Sequence, residues 1–245
     1  MNASDERRLA FIHIHKTAGG SVRDALTAAG FTWNRLGGEA VPNHIGAADL
    51  IRRHPETRDW RLFTIVRNPW SRLASVYLWT LEMADQDPKA PGYRHYRDHA
   101  RARFRDMGGF EGYVAHVHAA WREVRPLDRF NAFACLPDVN LGADFDLQIY
   151  PSQASSACDL DGAPLVDAFG RFEALEADLT RLFGRYGLPG PPQLPHIHRS
   201  SLQGRDYREL YTSQRLIDAV GEVYAEDARL FGYTFDGLAF GAAGA

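Results

Sequence analysis

Lysine is nearly missing from this chain of 245 residues. Of its 28 basic residues only Lys16 and Lys89 are lysines, and the other 26 are arginines. A GC-rich coding sequence produces such a bias. Under it, a retained lysine points to a place that needs a compact, mobile ammonium rather than a planar guanidinium. Cysteine is almost absent as well. Cys135 and Cys158 make no metal-ligand or Cys-x-x-Cys spacing, which excludes a zinc module and a disulfide framework. Both are expected to be reduced, buried thiols, with one disulfide between them as the alternative. No excess charge of one sign is present. A formal net charge of −3 excludes diffuse polyanion binding, so no nucleic-acid partner is expected and any anion has to meet a local cluster of positive groups. Long apolar runs are also missing. Leu9 to Ile14 is far too short for a signal-peptide core or a membrane span, so the expectation is no membrane span and a cytoplasmic location. Internal repeats and low-complexity linkers are lacking too.

What remains is an ordinary globular composition, 45% hydrophobic and 24% charged. It fits one soluble domain over residues 1–240, with 241–245 as a frayed tail. Leu9 to Ile14 and Leu62 to Val66 read as short buried strands. Each is followed by a tight loop and a helical stripe: Val22, Ala25, Leu26 and Ala29 before a stop at Gly30, then Trp70, Leu73, Ala74 and Tyr77 after an Asn68 cap and Pro69. Two strand–loop–helix units predict an α/β fold with a parallel sheet. Further along, helices are expected over Phe110–Trp121, Leu175–Tyr186 and, as one element, Ser213–Phe231. A short strand is expected within Leu165–Phe172. Phe145–Pro164 and Pro189–Arg205 read as loops, and Glu82–Gly112 as a surface insertion with a short helix.

Chemistry concentrates in the two tight loops. His15-Lys16-Thr17-Ala18-Gly19-Gly20-Ser21 joins a buried strand to a helix N-terminus. Small residues allow close approach of backbone N–H groups to a ligand, the helix dipole favours an anion, and lysine and two hydroxyls add donors. The loop is not a Walker A motif, because lysine precedes the glycines and Ala10 stands where the first glycine belongs. No carboxylate at the end of a later strand offers a magnesium site. In the second loop Arg67 sits at the strand end, and Ser71 and Ser75 share one helix face. The axial rise from Pro69 to Ser75 is roughly 9 Å, within reach for an arginine and a second-turn serine to converge on one phosphate.

Together these segments resemble the sulfotransferase superfamily, in particular its carbohydrate-type branch, the heparan 2-O-sulfotransferase-like one. The first loop is similar to that branch's 5′-phosphosulfate loop, His-Ile-Pro-Lys-Thr-Ala-Gly-Thr-Ser. Val66-Arg67-Asn68-Pro69-Trp70-Ser71-Arg72-Leu73-Ala74-Ser75 is similar to its 3′-phosphate segment. Val166 to Leu179 and Tyr224 to Phe235 resemble later landmarks, so the likeness runs at least from Phe11 to Phe235. His15 and Gly20 depart from the pattern, which often has Pro and Thr there; the second removes one hydroxyl donor.

The resemblance implies a P-loop-like parallel β-sheet flanked by helices in a single domain. It implies sulfuryl transfer from 3′-phosphoadenosine-5′-phosphosulfate (PAPS) to a hydroxyl-bearing acceptor, a carbohydrate or small metabolite, without a metal. Carried over residue by residue, Lys16, Thr17, Ala18, Gly19, Gly20 and Ser21 would hold the 5′-phosphosulfate, with Lys16 also catalytic. Arg67 and Ser75 would hold the 3′-phosphate, and Arg199 and Ser200 would touch the nucleotide. The branch places a catalytic histidine between the two motifs, which marks His44 as the candidate general base, with Glu39 and His15 behind it. Arg94 to Arg105 holds five arginines and one aspartate and reads as a solvated helix face. A catalytically idle nucleotide binder and a P-loop phosphoryl transferase are the competing readings.

Overall fold

The computed structural model describes residues 1–86, 102, 104–123, 152–159, 161–190, 194 and 205–239. They fall into two compact units, one drawn from Met1–Arg67 and Pro151–His198, the other from Asn68–Arg129 and Arg199–Ala245.

The first unit carries the sheet. Strands β1 (Asn2–Ser4), β2 (Leu9–Ile12), β3 (Thr32–Trp33), β6 (Arg61–Val66) and β7 (Ala168–Arg171) lie in the order β3-β1-β2-β6-β7. The three strands β2, β6 and β7 are parallel, in register Phe11↔Phe63 and Phe63↔Ala168. Their near-continuous apolar sequence follows from burial on both faces. Leu9, Phe11, Phe63 and Ile65 pack with Val22, Ala25 and Leu26 of α1 (Gly19–Ala28) and with Leu179, Leu182 and Phe183 of α6 (Leu175–Arg185). The alternate residues Ala10, Ile12 and Leu62 pack with Val41, Ile45 and Leu50, the last on α2 (Ala47–Arg53). Each such fully buried Leu, Ile or Phe side chain contributes roughly 1.5–3 kcal/mol. A small hairpin, β4 (Arg35–Leu36) with β5 (Glu39–Ala40), precedes α2.

The second unit is mostly helical. It contains α3 (Pro69–Gln86), α4 (Gly109–Glu123), α7 (Gln214–Val223), α8 (Ala225–Phe231) and the hairpin of β8 (Tyr233–Thr234) and β9 (Gly237–Leu238). Asn68 caps α3 as its sequence predicts: its Oδ1 accepts from Trp70 N at 3.1 Å and Ser71 N at 3.2 Å. Trp70, Leu73, Phe110, Tyr113, Val117 and Val220 belong to one core.

The sheet holds the expected parallel strands β2, β6 and β7, and β1, antiparallel to both β2 and β3, makes it mixed. In β1 Asn2 and Ala3 are fully buried, and a turn with Arg8 at φ 47° leads into β2. Two expectations need correcting. The segment read as loop over Phe145–Pro164 contains α5 (Gln153–Ala157), capped by Ser152, whose Oγ accepts from Ser155 N at 3.1 Å. The single helix expected over Ser213–Phe231 is two, broken at Tyr224 (φ −112°, ψ 31°). The break keeps Tyr224 in the core face, so the apolar period gives no sign of it. Residues 87–101 and 103 of the Glu82–Gly112 insertion, residues 191–204 of the Pro189–Arg205 loop (Leu194 excepted) and the 241–245 tail lie outside the described residues.

Candidate active site

The loop between β2 and α1 is shaped by its backbone. Lys16 and Ala18 both adopt left-handed φ values, 65° and 68°, on either side of Thr17, which is buried and donates its hydroxyl to Ile14 O at 2.9 Å. Left-handed backbone at two non-glycine residues costs about 1 kcal/mol or more each. Alternation of that kind turns successive N–H groups toward one side and makes an anion-binding concavity. It runs directly into α1, whose N-cap Ala18 brings no side-chain acceptor, so the positive end of the helix dipole adjoins the concavity. Gly19 is fixed by packing: a Cβ there would lie 1.6 Å from His13 Nε2. Gly20 and Ser21 complete the first turn of α1, half-buried.

Arg67 follows directly on β6 and is 2% exposed. Its Nη1 donates to the Lys16 carbonyl at 3.2 Å, which brings two of the expected donor-site residues into contact. The guanidinium carbon lies 4.0 Å from the centre of the Phe172 ring, a cation–π arrangement. The Arg67 backbone is clamped by one side chain: its N–H donates to Gln153 Oε1 at 2.7 Å, and Gln153 Nε2 donates back to its carbonyl at 2.7 Å. Gln153 and Phe172 were not anticipated from the sequence. A buried glutamine in a segment that reads as loop leaves no periodic trace. Ser71 and Ser75 lie four residues apart on α3 of the second unit, both buried. Arg199 and Ser200 lie outside the described residues, as does most of Arg94–Arg105.

His44 is half-buried in the segment before α2 and stacks on His15, ring centres 3.3 Å apart. The His13 ring centre lies 4.3 Å from that of His44, tilted. His44 Nδ1 lies 2.9 Å from the His13 carbonyl oxygen, which only accepts, so that nitrogen carries the proton. Asn43 Nδ2 donates to His44 Nε2 at 3.1 Å, and Asn43 Oδ1 accepts from His13 Nδ1 at 3.0 Å. Burial, the adjoining His44 and the chain's amino terminus hold the His13 imidazole well below the usual histidine range, so His13 is neutral at pH 7. Of the two alternative bases, Glu39 is exposed on β5 and His15 stacks on His44. Cys158 is buried, 1% exposed; Cys135 lies outside the described residues. Among the described residues, no three His, Cys, Asp or Glu side chains are grouped to hold a metal ion, and no helix is long and apolar enough to cross a membrane.

The first unit thus joins β2 to α1 through a left-handed loop, and an arginine at the end of the neighbouring parallel strand β6 is hydrogen-bonded to that loop. The family model described as "Sulfotransferase family" matches residues 1–234, and the chain belongs to the sulfotransferase family. It is therefore a transferase of sulfuryl groups, and the match runs through both compact units. No curated protein and no solved structure matches the chain.

Proposed function

We propose that the sulfuryl donor is PAPS and that the acceptor is a hydroxyl group on a carbohydrate or small metabolite. The observation that carries this reading is the left-handed Lys16–Ala18 loop, tied to the guanidinium of Arg67. Its N–H groups, the α1 dipole and two cations suit a phosphosulfate, in a protein whose net charge of −3 otherwise repels anions. In this reading Lys16, Thr17, Ala18, Gly19, Gly20 and Ser21 hold the phosphosulfate end and Arg67 and Ser75 the 3′-phosphate, with Arg199 and Ser200 contributing to the nucleotide. When bound, PAPS supplies the sulfuryl group and departs as 3′-phosphoadenosine-5′-phosphate (PAP).

His44 Nε2 takes the proton of the acceptor hydroxyl as that oxygen forms its bond to sulfur. Lys16 would neutralise the charge that the leaving 5′-phosphate oxygen gains as it keeps the electron pair of its bond to sulfur. This interaction strengthens toward the transition state, so it accelerates the reaction rather than merely tightening binding.

Thermal unfolding with added nucleotide tests the donor. PAP at a hundredfold excess over its dissociation constant is expected to stabilise the protein by about 2.7 kcal/mol, and ATP with magnesium is expected to do far less. Stabilisation by ATP–magnesium without any by PAP overturns the reading in favour of a phosphoryl transferase.

A further inference from the structure

Asn43 lies between two imidazoles, and its contacts dictate which way its amide points. Oδ1 accepts from His13 Nδ1 at 3.0 Å and from the Met1 nitrogen at 3.3 Å. Two donors on the oxygen leave Nδ2 to face His44 Nε2, at 3.1 Å. An N–H donated to that nitrogen requires a lone pair there. The opposite nitrogen of the same ring independently gives the same tautomer, because Nδ1 lies 2.9 Å from a backbone carbonyl oxygen. Met1 also donates to the Asn43 carbonyl, so the backbone of Asn43 is anchored together with its side chain.

We propose that Asn43 is a positioning residue that keeps His44 neutral, with its basic lone pair on Nε2. The inference rests on the reading of His44 as the base. The Asn43 amide N–H occupies the place that an acceptor O–H takes during transfer: both donate to the same lone pair. Until an acceptor arrives, the amide holds the ring's orientation and discourages protonation of Nε2, since a donor already fills that site. The device belongs to this chain's own residues: a side-chain amide next to the histidine, oriented by His13 and Met1.

The N43D variant tests it. Aspartate has the same shape and still accepts from His13, but it presents an oxygen to His44 Nε2 where the amide presented N–H. A proton on Nε2 is then needed to meet that oxygen. Nitrogen NMR of the histidine side chains at neutral pH is expected to show His44 protonated on Nδ1 alone in the wild type and on both nitrogens in N43D. Turnover in N43D is expected to fall about a hundredfold, with PAP binding retained. N43A serves as the partner variant. It removes the donor without adding an acceptor, and the His13 carbonyl still holds Nδ1–H, so it is expected to lose less turnover than N43D. A merely structural role predicts the reverse order, because N43A alone leaves a void. An unprotonated Nε2 in N43D, a proton on Nε2 in the neutral wild type, or a loss in N43A equal to or greater than that in N43D overturns the proposal. A wild type that is inert toward PAPS refutes the functional reading alone, and the nitrogen spectra still decide the role of Asn43.

Discussion

At the scale of single residues, the site is built from positions where the backbone or the solvent shell is under constraint. Lys16 and Ala18 accept left-handed backbone, and Gly19 lets α1 press against the His13 ring. His13 itself carries a measurable consequence. Its pKa is depressed in the folded protein, chiefly by burial, while in the unfolded chain it titrates near about 6.5. Below that pH the unfolded state binds the extra proton, so stability is complete above it and declines as pH falls through the unfolded value toward the folded one. The melting temperature of the wild type is expected to drop between pH 7 and pH 5 more steeply than that of a His13→Asn variant, as followed by circular dichroism. Parallel melting curves for the two proteins would show that His13 is not held neutral by the fold.

At the scale of elements, the first two strand–loop–helix units are legible because each carries local signals that tertiary structure does not override. Examples are the apolar run Leu62–Val66, the Asn68 cap with Pro69, and the Val22, Ala25, Leu26 stripe. β1 is illegible for a physical reason: Asn2 is polar and fully buried, so composition points the wrong way. α5 escapes for another: five residues are too few for a helical period to register. The same split holds at the site. Residue type and order place the loop from Lys16 to Ser21 between β2 and α1 and Arg67 at the end of β6, because an apolar run, small residues and a helical stripe are local signals. Gln153 cannot be, since its role lies in a contact 86 residues away. Leucine at that position has similar volume but removes both bonds to the buried Arg67 backbone, each loss costing about 1–3 kcal/mol. Gln153→Leu is expected to lower unfolding stability by roughly 2–6 kcal/mol in urea titrations and to weaken PAP binding. A loss of stability below about 0.5 kcal/mol, the range of an ordinary surface substitution, would mean that the clamp does not hold the strand end.

At the scale of the whole molecule, the scarcity of lysine and the slight negative charge describe one arrangement. A net charge of −3 gives no broad attraction for anions, and in the proposed site the Arg67 guanidinium donates to the Lys16 backbone carbonyl. Each of the two units has its own apolar core, and the family match spans both. The branch of the family and the acceptor are choices made by contacts that residue order alone does not specify. The direct test of the account is transfer of labelled sulfuryl from PAPS to a panel of sugar and small-metabolite hydroxyls by the wild type, Lys16→Ala and His44→Ala. The wild type is expected to label at least one acceptor. Lys16→Ala is expected to lose transfer while remaining folded, and His44→Ala to lose about a hundredfold or more in turnover while still binding PAP. Undiminished transfer by Lys16→Ala would contradict the account at its centre.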